Sequence, residues 1–173
     1  MNKKDSIERR RSAILEEAQN RGFEVVVSFN EMIRQNTSNF VYVLPMGLGD
    51  EHQTFVMDAH GDTTLVMPHW GAPRVRESGE FNKVIAIKQE KGHHIQGTKE
   101  ALKNYDPDKV CFDLATISAQ MAFRLTDEMG IPLTPERDIS DVVFKLRSIK
   151  DEWEISEISK AIEITERAVQ VMI

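Results

Sequence analysis

An imidazole, an indole and a guanidinium fall within six residues at His69-Trp70-Gly71-Ala72-Pro73-Arg74. That set suits a peptide or a carboxylate. The indole offers a flat apolar platform, and the guanidinium offers a two-pronged donor for carboxylate oxygens. The segment follows a strand-like run, Thr63 to Met67. Ligand loops of α/β sheets sit at such strand ends. His69, Trp70 and Arg74 are therefore the candidate substrate-facing residues. The competing reading packs Trp70 on the domain surface and leaves Arg74 solvated.

Other groups offer less. Gly47-Leu48-Gly49 lacks the third glycine and the helix start that a phosphate loop needs, and the chain has no Gly-Lys-Ser/Thr loop and no Gly-x-Ser-x-Gly elbow. Among the five histidines, His52 and His60 straddle a hairpin with Asp58 and Asp62 nearby, which reads as polar residues around an exposed turn. His93 and His94 are adjacent, so on a helix they point about 100° apart and do not readily clasp one ion; they read as a loop or a helix start. Cys111, between Val110 and Phe112, reads as a small buried hydrophobe with only Lys109 as a basic neighbour. No residue of the chain is assigned as catalytic or metal-ligating.

Composition sets the frame. The 173 residues carry 22 Lys plus Arg against 28 Asp plus Glu, a net charge of −6. A chain of this length buries roughly 70% of its unfolded surface and holds a core without staples. The acidic balance excludes a phosphate-backbone binder, so no nucleic-acid partner is expected. No apolar run reaches membrane-spanning length, and no signal core follows the charged N-terminus. One cysteine rules out an intramolecular disulfide and fits a reducing compartment, so the expected location is cytoplasmic.

Helices and strands alternate. Residues 6 to 20 read as a helix capped at Ser6 and ended by Gly22, followed by a buried strand, Glu24 to Phe29. Residues 30 to 40 read as a short helix, Phe40 to Leu44 as a strand, and Met46 to Asp50 as a loop. Gln53 to Met57 and Thr63 to Met67 form a hairpin over Asp58-Ala59-His60-Gly61-Asp62. Next come a helix over Gly71 to Glu77, a strand over Lys83 to Lys88, and a helix over Thr98 to Tyr105, with a start near His93 as the open alternative. Lys109 to Leu114 reads as a strand, and Ser118 to Met129 as a helix ended by Gly130. An extended stretch, Ile131 to Pro135, precedes a helix over Val142 to Leu146 capped by Asp138 or Ser140. Ile155, Ile158, Ile162, Val169 and Met172 give the last helix, Asp151 to Ile173, one apolar stripe. The fold class is α/β, a mixed β-sheet flanked by helices. The last helix ends on Val171-Met172-Ile173 with no glycine, cap or basic turn, so the chain is expected to be cut from a longer one.

One segment carries a family signature. Leu146-Arg147-Ser148-Ile149-Lys150, followed by Glu154, Ile155, Ile158 and Ala161, resembles the motif that joins the two domains of the creatinase, prolidase and Xaa-Pro aminopeptidase family. Asn39-x-x-Tyr42 resembles that family's opening, although Val43-Leu44-Pro45 stands where the family carries Leu-Thr-Gly. The resemblance implies a creatinase-type N-terminal domain, ribonuclease H-like in arrangement, over residues 1–150. Residues 151–173 would be a linker helix leading into an absent C-terminal "pita-bread" catalytic domain. In the metal-dependent relatives that second domain holds a pair of divalent ions (Mn, Co or Zn) on Asp, His and Glu ligands, and none of those motifs occurs here.

The resemblance further implies a non-catalytic domain that shapes a substrate pocket and a dimer interface. Its partners would be its own C-terminal domain, a second copy in a homodimer, and a peptide or small-molecule substrate. Two alternatives stay open: a non-enzymatic protein-binding module of the same two-domain family, and the N-domain of a creatinase-like amidinohydrolase.

Overall fold

The computed structural model describes residues 2–30, 39–44, 52–88, 93–115 and 117–172. The expected helix over residues 30 to 40 and the Gly47-Leu48-Gly49 loop lie almost wholly outside that set.

Helix α1 runs Lys3–Asn20. Its start is earlier than Ser6. Asn2 Oδ1 accepts the Asp5 amide at 2.9 Å, and the Asp5 carboxylate accepts the Asn2 amide at 3.4 Å. This is a capping box, which satisfies two otherwise orphaned donors. Ser6 is instead an interior, buried residue of the helix.

Strand β1, Val25–Asn30, is buried along its whole length. It lies between β2 and β5 in a five-stranded sheet of order β4-β3-β2-β1-β5, with a core layer on each face. Strands β2, Gln53–Asp58, and β3, Thr63–Pro68, form the expected hairpin, with Gly61 at φ +84° in the turn. The Asp58 carboxylate ties that turn by accepting the His60 and Asp62 amides at 2.9 and 3.0 Å. Strand β4, Lys83–Ile87, pairs parallel with β3, and β5, Val110–Phe112, pairs parallel with β1. Since β1–β2 and β2–β3 are antiparallel, β2 alone runs against the other strands.

Alternation along the strands fills two core layers. Val26, Phe55, Met57, Leu65, Met67 and Cys111 pack with Ile14, Leu15 and Ala18 of α1. Also in this layer are Val75 of α2, Ala72–Ser78, and Val142 and Val143 of α5, Ser140–Ser148. Val25, Val27, Phe29, Val56 and Phe112 pack on the other side with α3, His93–Leu102, and α4, Ala119–Met129. Ser118 caps α4 by accepting the Met121 amide, and Gly130 ends it, as the sequence indicates. Helix α6, Glu152–Met172, closes the order. Among the described residues no helix is long and apolar enough to cross a membrane.

Phe40 to Leu44 does not form the expected strand. Asn39–Val43 is a 3-10 helix. The Tyr42 and Val43 carbonyls accept guanidinium donors from Arg10 and Arg11 at 3.1 and 2.9 Å, so they serve α1 instead of a sheet ladder. Ile131 to Thr134 carries no helix or strand, Thr134 is extended, and a one-turn 3-10 helix, Pro135–Arg137, starts at the last residue of the stretch expected to be extended.

Helix α3 lies hard against the sheet at Gly97. A Cβ there would stand 2.5 Å from Val66 Cγ1 and 2.7 Å from Ile87 Cγ2. Gly97→Ala is expected to destabilise the chain by about 1–2 kcal/mol in a urea titration, because overpacking outweighs the better helix propensity of alanine.

Candidate functional site

Because β1, β3, β4 and β5 run one way, their C-terminal ends meet at a single edge of the sheet, together with the start of β2. The register confirms the edge: Asn30 pairs with Gln53, and Pro68 pairs with Ile87. In open α/β sheets this is the edge that presents ligand loops.

His69 and Trp70 form the turn that leaves β3 there, and Arg74 lies on the first turn of α2. The turn is compact. The His69 amide donates to Ile87 O at 2.8 Å, and the Gly71 amide donates to Pro68 O at 3.3 Å. A Cβ at Gly71 would stand 2.7 Å from Met67 Cε, so the glycine lets the turn close over that side chain. All three candidate side chains are solvent-exposed, Trp70 by 54%. Among the described residues no hydrogen bond or ion pair joins them to one another. The structure thus places them on one edge as an open patch, not as a preformed cage.

Beneath that edge lies a polar cluster that the sequence reading did not single out. Asp113, the residue after β5, is 1% exposed. It accepts from Asn39 Nδ2 at 3.0 Å, from Ser140 Oγ at 2.9 Å and from Ser28 Oγ at 3.5 Å. Burial raises its pKa, the Asn39 and Ser140 hydrogen bonds pull it back, and the net direction is upward. Arg147 Nη1 donates to Asn39 Oδ1 at 2.6 Å and ties the cluster to the end of α5. The only local sign of this cluster is an Asp at the end of a strand-like run; its partners lie 27 to 85 positions away.

A second clasp explains the joining segment. Asp151 caps α6, accepting the Glu154 amide at 2.9 Å, while Glu154 Oε2 accepts the Asp151 amide at 3.1 Å. The same Asp151 carboxylate accepts from Ser6 Oγ, and from Arg9 and Arg10 at 3.1 and 3.5 Å. Arg10, whose side chain is 5% exposed, also meets Glu154 at 3.3 Å and sits over the Tyr42 ring at 4.2 Å. Asn39, Tyr42, Arg147 and Glu154, all drawn from the two matched patterns, therefore hold α6 and the 3-10 turn onto the domain.

Beyond its first turn α6 stands clear of the sheet. Ile155, Ile158, Ile162 and Val169 are 44% to 54% exposed, so the apolar stripe has the expected spacing but is covered by nothing among the described residues. Cys111 is the buried hydrophobe expected of it. Its thiol donates to Val25 O at 3.3 Å, and burial pushes its pKa up to about 12, which removes thiolate chemistry. His52 and His60 do not approach across the hairpin; they lie beyond opposite ends of β2. His52 instead meets His94, with ring centroids 5.6 Å apart. Among the described residues no group of three or more His, Cys, Asp or Glu side chains is placed to hold a metal ion.

No protein-family model and no curated protein sequence matches the chain. Solved structures do. The X-Pro aminopeptidase from Thermotoga maritima superposes with a TM-score of 0.69 at 19% identity, over 91% of this chain and 41% of that one. The prolidase from Thermococcus sibiricus gives 0.68 at 21% identity, over 98% and 43%. The isolated N-terminal domain of Xaa-Pro dipeptidase from Lactobacillus brevis gives 0.55 at 13% identity, over 79% of this chain and 98% of that one. The chain has the fold of the N-terminal domain of Xaa-Pro dipeptidases. This Xaa-Pro dipeptidase N-terminal fold is the α/β mixed sheet expected from the sequence. It spans about two fifths of the full-length peptidase structures that it matches.

Proposed function

We propose that the chain acts as the non-catalytic N-terminal domain of a Xaa-Pro dipeptidase- or aminopeptidase-like hydrolase. The observation that supports this most is the pair of coverages: nearly all of this chain on two fifths of a peptidase, and most of it on an isolated N-terminal domain. Residues 1–150 form the domain, and 151–173 form the helix that leads to a C-terminal catalytic domain. The exposed stripe of α6 would pack there, since burying four large aliphatic side chains is worth several kcal/mol. That second domain would carry the divalent metal pair (Mn, Co or Zn), and the assembled protein would be a cytoplasmic homodimer. No residue of this chain enters the metal chemistry.

The part given to this chain is substrate selection at the sheet edge. The Trp70 indole offers a face for a proline ring, and Arg74 offers a two-pronged donor for the carboxylate of a short peptide. In protein carrying both domains, Trp70→Ala is expected to raise KM for a Xaa-Pro dipeptide roughly tenfold with kcat nearly unchanged, as loss of ground-state binding does. Because Trp70 is half exposed, the thermal midpoint should hold. Unchanged KM, kcat and dimerisation in this variant would remove the loop from the site.

A further inference from the structure

We propose that His52 and His94 form a two-imidazole site for a borderline divalent transition-metal ion of the zinc, nickel or copper class, where the start of β2 meets α3. The site is independent of the function proposed above and of any metal in a second domain.

The period-two alternation of β2 puts His52, Thr54 and Val56 on the face turned to α3. Val56 belongs to the core layer of that face. On α3, His94 and Thr98 are four residues apart and both buried, so they share the side that meets β2.

A chain of hydroxyl contacts links His94 and Thr98 of α3 to Thr54 of β2. Thr98 Oγ1 donates to the His94 carbonyl at 3.0 Å, so its only proton is committed. With Thr54 Oγ1 as the donor to Thr98 Oγ1, 2.8 Å away, the chain of protons runs one way. With its own proton committed, Thr54 Oγ1 accepts from His94 Nε2 at 2.6 Å. His94 is therefore the Nε2–H tautomer. Its Nδ1 carries a lone pair, is buried, and has no hydrogen-bond partner. Burial above all, with the charges of His52 and Arg124, outweighs the upward pull of the Gln53 backbone and pushes the His94 pKa down to about 3, so the ring is neutral at neutral pH.

A neutral ring with one nitrogen hydrogen-bonded and the other unpartnered matches the pattern of a metal-binding histidine. One ring nitrogen faces the ion, and the other donates its N–H to an oriented acceptor. The exposed His52 ring lies 5.6 Å from that of His94, centroid to centroid, with a 34° tilt. Two imidazoles bound at about 2.0–2.1 Å to one tetrahedral ion place their ring centres about 5–6 Å apart. The donor set also selects the ion. Glu128, the carboxylate of the nearby Arg124, is already paired with Arg124 at 2.8 Å and with Lys99 at 3.5 Å. Among the described residues the available donors here are imidazole nitrogens, which favour zinc, nickel and copper and disfavour magnesium and calcium. Water would complete the coordination shell.

The test is a titration of the chelator-stripped chain with zinc chloride at neutral pH, read by calorimetry and by long-range proton–nitrogen spectra of the histidine rings. The expected metal-free spectrum shows His94 protonated at Nε2 only. Zinc should then move His94 Nδ1 and one His52 nitrogen at a one-to-one ratio, and magnesium chloride should move neither. His52→Gln, at an exposed position, should weaken zinc binding roughly tenfold or more while keeping the thermal midpoint; His60→Gln and His69→Gln should bind as the parent does. A His94 ring protonated at Nδ1, zinc that leaves the His94 signals in place, or undiminished binding in His52→Gln would each overturn the site.

Discussion

Asp151→Ala is expected to lower the unfolding free energy by about 3–4 kcal/mol, the largest effect of any single substitution considered. Two losses combine. Removing one partner from a buried ion pair costs about 3–5 kcal/mol when nothing replaces it, but here Glu154 still faces Arg10 at 3.3 Å, so the lower part of that range applies. The helix cap adds about 1 kcal/mol, since the Glu154 amide loses its acceptor. A urea titration followed by Trp153 fluorescence reads both losses, because Trp153 lies 5.5 Å from the Arg10 guanidinium; a Trp70→Phe background isolates that signal.

The pH dependence gives a second readout for the same residue. Burial alone would raise the Asp151 pKa. Hydrogen bonds from Ser6, the Glu154 amide and Arg9, with the Arg10 charge, outweigh burial and hold it down to about 2 against an ordinary 3.8. A carboxyl held low in the folded state contributes its full stability above pH 3.8 and loses it as the pH falls toward 2. Asp151→Asn should flatten that acid limb of the stability curve. An unchanged limb would mean that the clasp is not formed in solution.

Asp113→Ala is expected to cost about 3 kcal/mol. The change leaves the buried Asn39 amide without its acceptor and removes one acceptor of the Ser140 hydroxyl, and an unsatisfied buried donor costs about 1–3 kcal/mol. The cavity adds to this. Here the pH sign is reversed. The folded pKa of Asp113 lies above the unfolded 3.8, so the folded state holds the extra proton. Its contribution is complete below 3.8 and declines as the pH rises through the folded value. Asp113→Asn, which keeps size and one acceptor, should be milder and should remove that decline in urea titrations across the acid range.

Much of the fold is legible because it rests on local pattern. Val25-Val26-Val27 reads as a buried strand and is one, since a strand covered on both faces needs no polar alternation. The Gly61 turn and the Ser118 and Gly130 ends of α4 follow from backbone preferences that a few residues decide. Phe40 to Leu44 misleads because its β-branched and aromatic composition suits a strand, while its carbonyls are claimed by guanidinium groups 32 positions earlier. Ser6 misleads for the same reason: its hydroxyl serves Asp151, 145 positions away. Of the candidate site, the His69 to Arg74 turn is visible as a cluster of chemistry after a strand. Asp113 and the His52–His94 pair are not, because long-range register brings their partners together. The joining segment is recognisable as a pattern well before its physical purpose is: Glu154 holds the start of α6 through Arg10 and the Asp151 amide, and Arg147 ties the end of α5 to Asn39.

The proposed role of this chain is that of the non-catalytic N-terminal domain of a Xaa-Pro peptidase-like protein. Its most direct test is a steady-state assay with a Xaa-Pro dipeptide and manganese, cobalt or zinc, run on the 173-residue chain alone and on protein that continues past Ile173 into the proposed catalytic domain. No hydrolysis above background is expected from the chain alone, and metal-dependent hydrolysis is expected from the longer protein. Hydrolysis by the chain alone, or a longer protein inert toward Xaa-Pro peptides with every one of these metals, would contradict it.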